Sequence, residues 1–183
     1  IVNKVQNIYW SCIHPIGEKT HGHYIKSIFI DRFHPDHEEL RKLYKLYDFL
    51  SPHFLLINLD PYYCTPIHLD GAEIGKQRQI SFNIPIQGCN DDCITEFFDI
   101  KENHFWKDNK SATRWLNEGQ SGPKIAEYRL LKNPIMVCPQ TPHRVNNSLG
   151  SERRITISWT LKLEWTFQNA LEFFKSQGRL ISN

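Results

Sequence analysis

Hydrophobic positions along this chain change period twice. Between residues 35 and 51 they recur as Leu40, Leu43, Tyr44, Tyr47 and Leu50, the i, i+3, i+4, i+7 rhythm of an amphipathic helix. Pro35 suits the first helical position, and Asp36, Glu38 and Glu39 sit near the positive end of the helix dipole. Ser51-Pro52 stops the run. A second helical pattern covers 166–178: Thr166 can cap it, Phe167, Ala170, Leu171 and Phe174 share one face, and Gly178 ends it.

Between these helices the period shortens to two. Runs of β type fall at 53–59, 78–87, 93–100, 125–131, 135–138 and 153–163. Asp60-Pro61, Asp70-Gly71, Gly88-Cys89-Asn90-Asp91-Asp92 and Lys132-Asn133-Pro134 separate them with turn chemistry. A brief helix is expected at 111–118, inside an insertion spanning about 101–123. No internal repeat or linker divides the chain, so 1–183 reads as one domain. The expected class is mainly β: a jelly-roll, cupin-like barrel over about 53–163, braced by helices at about 35–51 and 166–178.

Composition narrows the functional classes. Hydrophobic residues make up 40% and charged residues 23%, which fits a folded globular chain and excludes a disordered or low-complexity one. The 22 basic and 20 acidic residues leave a net charge of +2 with no basic cluster, so the footprint of a dedicated nucleic-acid binder is missing. No stretch approaches the ~20 apolar residues of a bilayer span, and the start at Ile1 lacks the order of a signal peptide. Five cysteines, an odd count without CxxC, argue against a disulfide framework or a four-cysteine zinc site. The expected setting is the reducing cytoplasm, away from membranes, with Cys89 and Cys93 as buried or half-buried thiols.

The chemistry concentrates in Thr65-Pro66-Ile67-His68-Leu69-Asp70-Gly71. Side chains two apart on a strand point to one face, so His68 and Asp70 can grip one cation. Seventy-five positions after His68, His143 follows an apolar run at a turn, in Thr141-Pro142-His143-Arg144. Two histidines and a carboxylate make a facial triad of the kind that suits Fe(II), leaving adjacent positions open for a chelating cosubstrate and dioxygen. Ten positions further on, Arg153 opens the strand Arg153-Arg154-Ile155-Thr156-Ile157-Ser158-Trp159. An arginine there can meet a carboxylate with two parallel hydrogen bonds and never loses its charge. Arg154 is its rival, because strand alternation turns only one of the two inward.

Taken together, these elements resemble the iron(II)- and 2-oxoglutarate-dependent oxygenases over about 55–161. The run His68-Leu69-Asp70, then Arg78-Gln79-Ile80-Ser81-Phe82-Asn83-Ile84-Pro85-Ile86, then Thr95-Glu96-Phe97-Phe98 is most similar to the prolyl and aspartyl/asparaginyl hydroxylase branches. The resemblance implies a double-stranded β-helix and the decarboxylation of 2-oxoglutarate by dioxygen, giving succinate, CO2 and a hydroxylated amino-acid or peptide side chain. It implies His68, Asp70 and His143 as metal ligands and Arg153 as partner of the distal carboxylate. Ser81, Asn83 and Asn58 become expected cosubstrate contacts. Tyr62-Tyr63 reads equally as substrate mouth or core. The rival readings are a non-enzymatic jelly-roll binding module, a zinc hydrolase, and a nucleic-acid oxygenase of the same superfamily using Lys107, Lys110 and Arg114 interleaved with Trp106 and Trp115.

Overall fold

In the computed structural model the described residues are 23–29, 42, 49–70, 79–107, 113–162 and 164–178. Eleven strands are present among them: β1 (His23–Phe29), β2 (Leu50–Leu59), β3 (His68–Leu69), β4 (Ser81–Gln87), β5 (Ile94–Phe98), β6 (Phe105–Lys107), β7 (Arg114–Leu116), β8 (Lys124–Arg129), β9 (Ile135–Val137), β10 (His143–Asn146) and β11 (Arg154–Leu161). They form two antiparallel sheets, a major one in the order β1-β2-β11-β4-β9 and a minor one in the order β6-β7-β3-β10-β5-β8. Chain neighbours such as β2 and β3 lie in different sheets, so the chain passes back and forth between two layers. That is the jelly-roll expected from the pattern.

Strand β11 explains how the two layers are used. All eight of its residues are buried, yet polar and apolar residues alternate along it. Ile155, Ile157, Trp159 and Leu161 face away from the minor sheet, whereas Arg154, Thr156 and Ser158 line a cavity between the sheets. A strand buried on both faces is usually apolar throughout. Here the polar half marks an internal chamber and the apolar half belongs to the core.

That core is closed by α1 (Phe167–Ser176). Thr166 caps it as expected, with its hydroxyl accepting from the Asn169 N–H at 3.3 Å and the Asn169 side chain accepting from the Thr166 N–H at 2.7 Å. Ala170 and Phe174 are buried against Ile80 and Leu161, with Phe49, Phe82, Trp165 and Phe173 packed around them. Phe174 meets Phe82 edge to face at 5.2 Å between ring centres, and Phe49 likewise at 5.4 Å. A side chain of this size contributes roughly 1.5–3 kcal/mol through burial alone. The expected helix at 35–51 lies almost wholly outside the described residues; its last apolar position, Leu50, is the first residue of β2.

Two local expectations need correction. The segment 111–118, expected as a brief helix, contains strand β7: Trp115 and Arg114 pair with His68 and Leu69, and the insertion widens the minor sheet. An aromatic residue packed on a pleated surface outweighs the weak helical preference of so short a run. His143, expected at a turn, is the first residue of β10 and pairs directly with His68. The four described cysteines, Cys64, Cys89, Cys93 and Cys138, are free thiols.

On the outer side of the minor sheet a charge ladder ties three strands. Arg144 donates to Glu96 at 2.7 Å, and Lys124 lies 3.5 Å from the same carboxylate and 2.6 Å from Glu127. Burial of Glu96 acts to raise its pKa, but the hydrogen bond and charge of Arg144, with Lys124 behind them, outweigh it and hold the carboxyl below the usual glutamate range. A lowered pKa gives stability that is full above the ordinary glutamate value and is lost as the pH falls through the folded-state value. Glu96→Gln should therefore flatten the acid side of a melting-temperature-against-pH curve. An unchanged acid limb would show that the ladder adds nothing.

Candidate metal and anion site

The cavity between the sheets has a volume of about 190 Å³. Its minor-sheet wall carries His68 and His143, placed side by side by the pairing of β3 with β10, and Asp70 follows two positions after His68. One ligand atom from each of the three residues falls within 4.8 Å of the others. His68 Nε2 lies 3.8 Å from Asp70 Oδ1, and His143 Nε2 lies 4.0 Å from Asp70 Oδ2. No other group of three possible ligands gathers in this way among the described residues.

The second nitrogen of each ring is spoken for. His68 Nδ1 is 2.9 Å from the Pro66 carbonyl, and His143 Nδ1 is 2.8 Å from the Thr141 carbonyl. A carbonyl can only accept, so in the neutral ring Nδ1 carries the proton and Nε2 keeps its lone pair for a cation. The two contacts are alike: each histidine reaches back to the carbonyl two residues before it. Proline stands at Pro66 and Pro142, fixing φ beside both contacts. Thr113 Oγ1 donates to Asp70 Oδ1 at 3.4 Å, and the Asp70 N–H donates to the Pro139 carbonyl at 3.0 Å. Such outer contacts orient metal ligands. Two neutral imidazole nitrogens and one carboxylate oxygen on one side of a cavity fit a first-row divalent metal of the Fe(II) type, with the opposite side open.

The major-sheet wall supplies a cation. Arg154 is 3% exposed and lines the same cavity as the cluster. No carboxylate is paired with it among the described residues; its side chain reaches the thiol of Cys89. Thr156, two positions along the same strand face, has a buried hydroxyl without a hydrogen-bond partner. Across the cavity, Asn83 Nδ2 donates to the Tyr128 hydroxyl oxygen at 2.9 Å, which leaves the Tyr128 O–H free to donate. Arginine, threonine and tyrosine together offer an anion several donors in a largely enclosed space.

This arrangement corrects part of the expected site. Arg153 does not face the cavity: it is exposed at the rim, with Nη2 3.0 Å and Nε 3.1 Å from Asp60 Oδ1. The strand begins one residue later, at Arg154, and alternation then points Arg154 inward. The β4–β5 turn sets that parity. Gly88 has a φ of +59° and packs so tightly on the Arg153 carbonyl that a Cβ would collide with it. Asn58 is buried on the opposite face of β2 from Leu55 and Ile57, which line the cavity, so it makes no contact there. Asn83 lines the cavity; Ser81 shares its strand face and is fully buried but is not part of the wall. Tyr62, 69% exposed, and Tyr63 stand apart from the cavity.

Several wall residues escaped the sequence. Phe97, Thr113, Tyr128 and Thr156 lie on it, and Trp115 packs its ring 5.2 Å from that of His68. For Thr156 and Tyr128 the legible signal was parity: each is a hydroxyl-bearing residue at an inward position of its strand. Trp115 reads in the sequence only as a stacking residue of the insertion, and Thr113, just before β7, carried no signal because that strand was not foreseen. None of the four described thiols joins the metal-ligand cluster. Burial pushes Cys93 up to about 11, against the lowering influence of the Arg154 charge, and burial likewise raises Cys64 and Cys89. No helix among the described residues is long and apolar enough to cross a membrane.

No protein-family model matches this chain, and no curated relative does. Solved structures do. A prolyl-4-hydroxylase from Pseudomonas putida superposes with a TM-score of 0.52 at 14% identity, over 88% of this chain and 86% of that one. Bacillus subtilis oxalate decarboxylase gives 0.42 at 12% identity, over 94% of this chain and 36% of that one, and hazelnut (Corylus avellana) vicilin gives 0.41 at 13%, over 81% and 31%. At 14% identity the likeness to the prolyl-4-hydroxylase is one of fold, that of a jelly-roll barrel, and the His-Asp-His cluster in the cavity could hold a metal ion.

Proposed function

We propose that this protein is an Fe(II)- and 2-oxoglutarate-dependent dioxygenase that hydroxylates an amino-acid or peptide side chain. The observation that carries the reading is the pairing, in one cavity, of the His68, Asp70 and His143 cluster with a buried arginine that no carboxylate neutralises among the described residues. A buried cation costs several kcal/mol unless a partner compensates it. Arg154 has the polarity and enclosure to receive an anionic one.

Fe(II) held by His68, Asp70 and His143 would supply the dioxygen chemistry that couples decarboxylation of 2-oxoglutarate to hydroxylation of a C–H bond. The chain's own residues do the rest. Arg154 binds the distal carboxylate through its planar fork, and Thr156 and Tyr128 donate to the same oxygens. Asn83 orients Tyr128 by donating to its oxygen. The Pro66 and Thr141 carbonyls keep both histidines in the Nε2-ligating tautomer. Phe97, Val137 and Val145 keep the walls dry, which strengthens each charged contact. The fold likeness to a prolyl-4-hydroxylase agrees with this reading and with a peptide acceptor.

Anaerobic titration with Fe(II) and then 2-oxoglutarate tests it. The expected result is a visible charge-transfer band saturating at one iron and one 2-oxoglutarate per chain, followed by succinate release when dioxygen is admitted. A zinc-dependent hydrolysis, or ligand binding without succinate, would replace the reading with the hydrolase or the binding module.

A further inference from the structure

The register of the minor sheet places five rings in one row. Phe97 pairs with His143, His143 with His68, His68 with Trp115, and Trp115 with Trp106. Directly opposed residues on antiparallel strands project from the same face. Ring centres along the row are 5.9, 4.4 and 5.2 Å apart from Phe97 to Trp115. The row starts inside the cavity, crosses both histidines of the cluster, and ends at Trp106 on β6, the terminal strand of the sheet. Trp106 is 50% exposed, unusual for a tryptophan with no role outside the core.

We propose that Trp115 and Trp106 form an acceptor shelf: Trp115 lines the entry beside the metal cluster, and Trp106 holds an uncharged ring of a residue flanking the reacting one in a proline-bearing peptide. This deepens the oxygenase reading and rests on it. The register argues for a peptide over a nucleic acid. Arg114 is opposed to Leu69, on the other face of the sheet from Trp115, and takes no part in the cavity wall. Arg114, one of the cations interleaved with the tryptophans in the sequence, therefore separates from them on folding and cannot neutralise a phosphate whose base stacks on these rings. An aromatic surface of this kind suits proline-rich segments, which are already extended and lose little entropy on docking. Its continuity with the cavity wall gives the shelf a direction, from the sheet edge toward His68 and His143.

The test is calorimetric binding of a short poly-L-proline peptide and of a single-stranded oligothymidylate to the Fe(II)- and 2-oxoglutarate-loaded protein under anaerobic conditions. The peptide should bind, Trp106→Ala should weaken it roughly three- to tenfold, and Trp106→Phe should recover most of the loss. No peptide binding to the wild type, or equal binding by Trp106→Ala, overturns the shelf. Oligothymidylate binding that falls in Arg114→Ala overturns it in favour of a nucleic-acid acceptor. Succinate formation by the wild type after dioxygen is admitted to the same loaded sample is measured separately: its absence sinks the oxygenase reading, whereas its presence with an insensitive Trp106 variant sinks the shelf alone.

Discussion

Replacing Arg154 by methionine will weaken 2-oxoglutarate binding about tenfold to a hundredfold and will raise the melting temperature of the ligand-free protein. Both effects come from one fact: Arg154 is 3% exposed, and no carboxylate is paired with it among the described residues. A charge-assisted hydrogen bond contributes roughly 1.5–3 kcal/mol, which sets the loss of affinity. The same charge is a burden while no anion is present, and an apolar side chain of similar length relieves it. Relief of about 1 kcal/mol corresponds to a rise of roughly 2–4 °C for a chain of this size. Arg153→Met, at the exposed rim, should change affinity little and stability by at most about 1 kcal/mol. Titration of 2-oxoglutarate and thermal melts of both variants decide the matter. Loss of affinity in the Arg153 variant with none in the Arg154 variant would contradict the parity of β11.

The second large effect is expected at the cluster itself. His68→Ala, Asp70→Ala and His143→Ala should each abolish the Fe(II) titration endpoint and all succinate formation, a larger loss than the 10- to 100-fold typical of removing an outer contact to a ligand. The barrel should survive, because its buried apolar residues sit mainly on the far faces of the two sheets, around Ile80, Leu161 and Phe174 and around Leu69, Phe98 and Phe105. Thr113→Val provides the graded comparison: it removes the 3.4 Å contact to Asp70 while leaving the three ligands in place, and should fall within that milder range. Circular dichroism and metal content measured together separate loss of ligand from loss of fold. Retained iron-dependent turnover in any two of the three alanine variants would remove the cluster from the mechanism.

The parts of this architecture that were legible share a physical cause. Period-two runs in β2, β4, β5 and β11 announce themselves because their two faces meet different surroundings, one of them an apolar core. The helix at the end of the chain was legible in its cap and its aromatic face. The spacing of His68, Asp70 and His143 was legible as ligand chemistry, and the sheets bring the three together. Which of two adjacent arginines faces inward was not. Alternation fixes the relation between neighbours but not its phase, and the phase here is set by a turn 66 positions earlier in the chain. β6 and β7 were illegible because β7 gains its strand conformation from pairing with β3, and β6 from pairing with β7, contacts that no local pattern reveals. Asn58 failed for the same reason as Arg153, by one step of parity.

Gly88 has a consequence for how this protein can change over generations. Its positive φ and its seat on the Arg153 carbonyl admit no side chain without displacing the strand start that carries Arg154. Selection on the anion-binding role proposed for Arg154 would therefore act on a glycine outside the cavity wall, and in related chains the two positions should be inherited together. A lineage that lost the glycine would be expected to lose the arginine's orientation with it and to hold its anion from another strand.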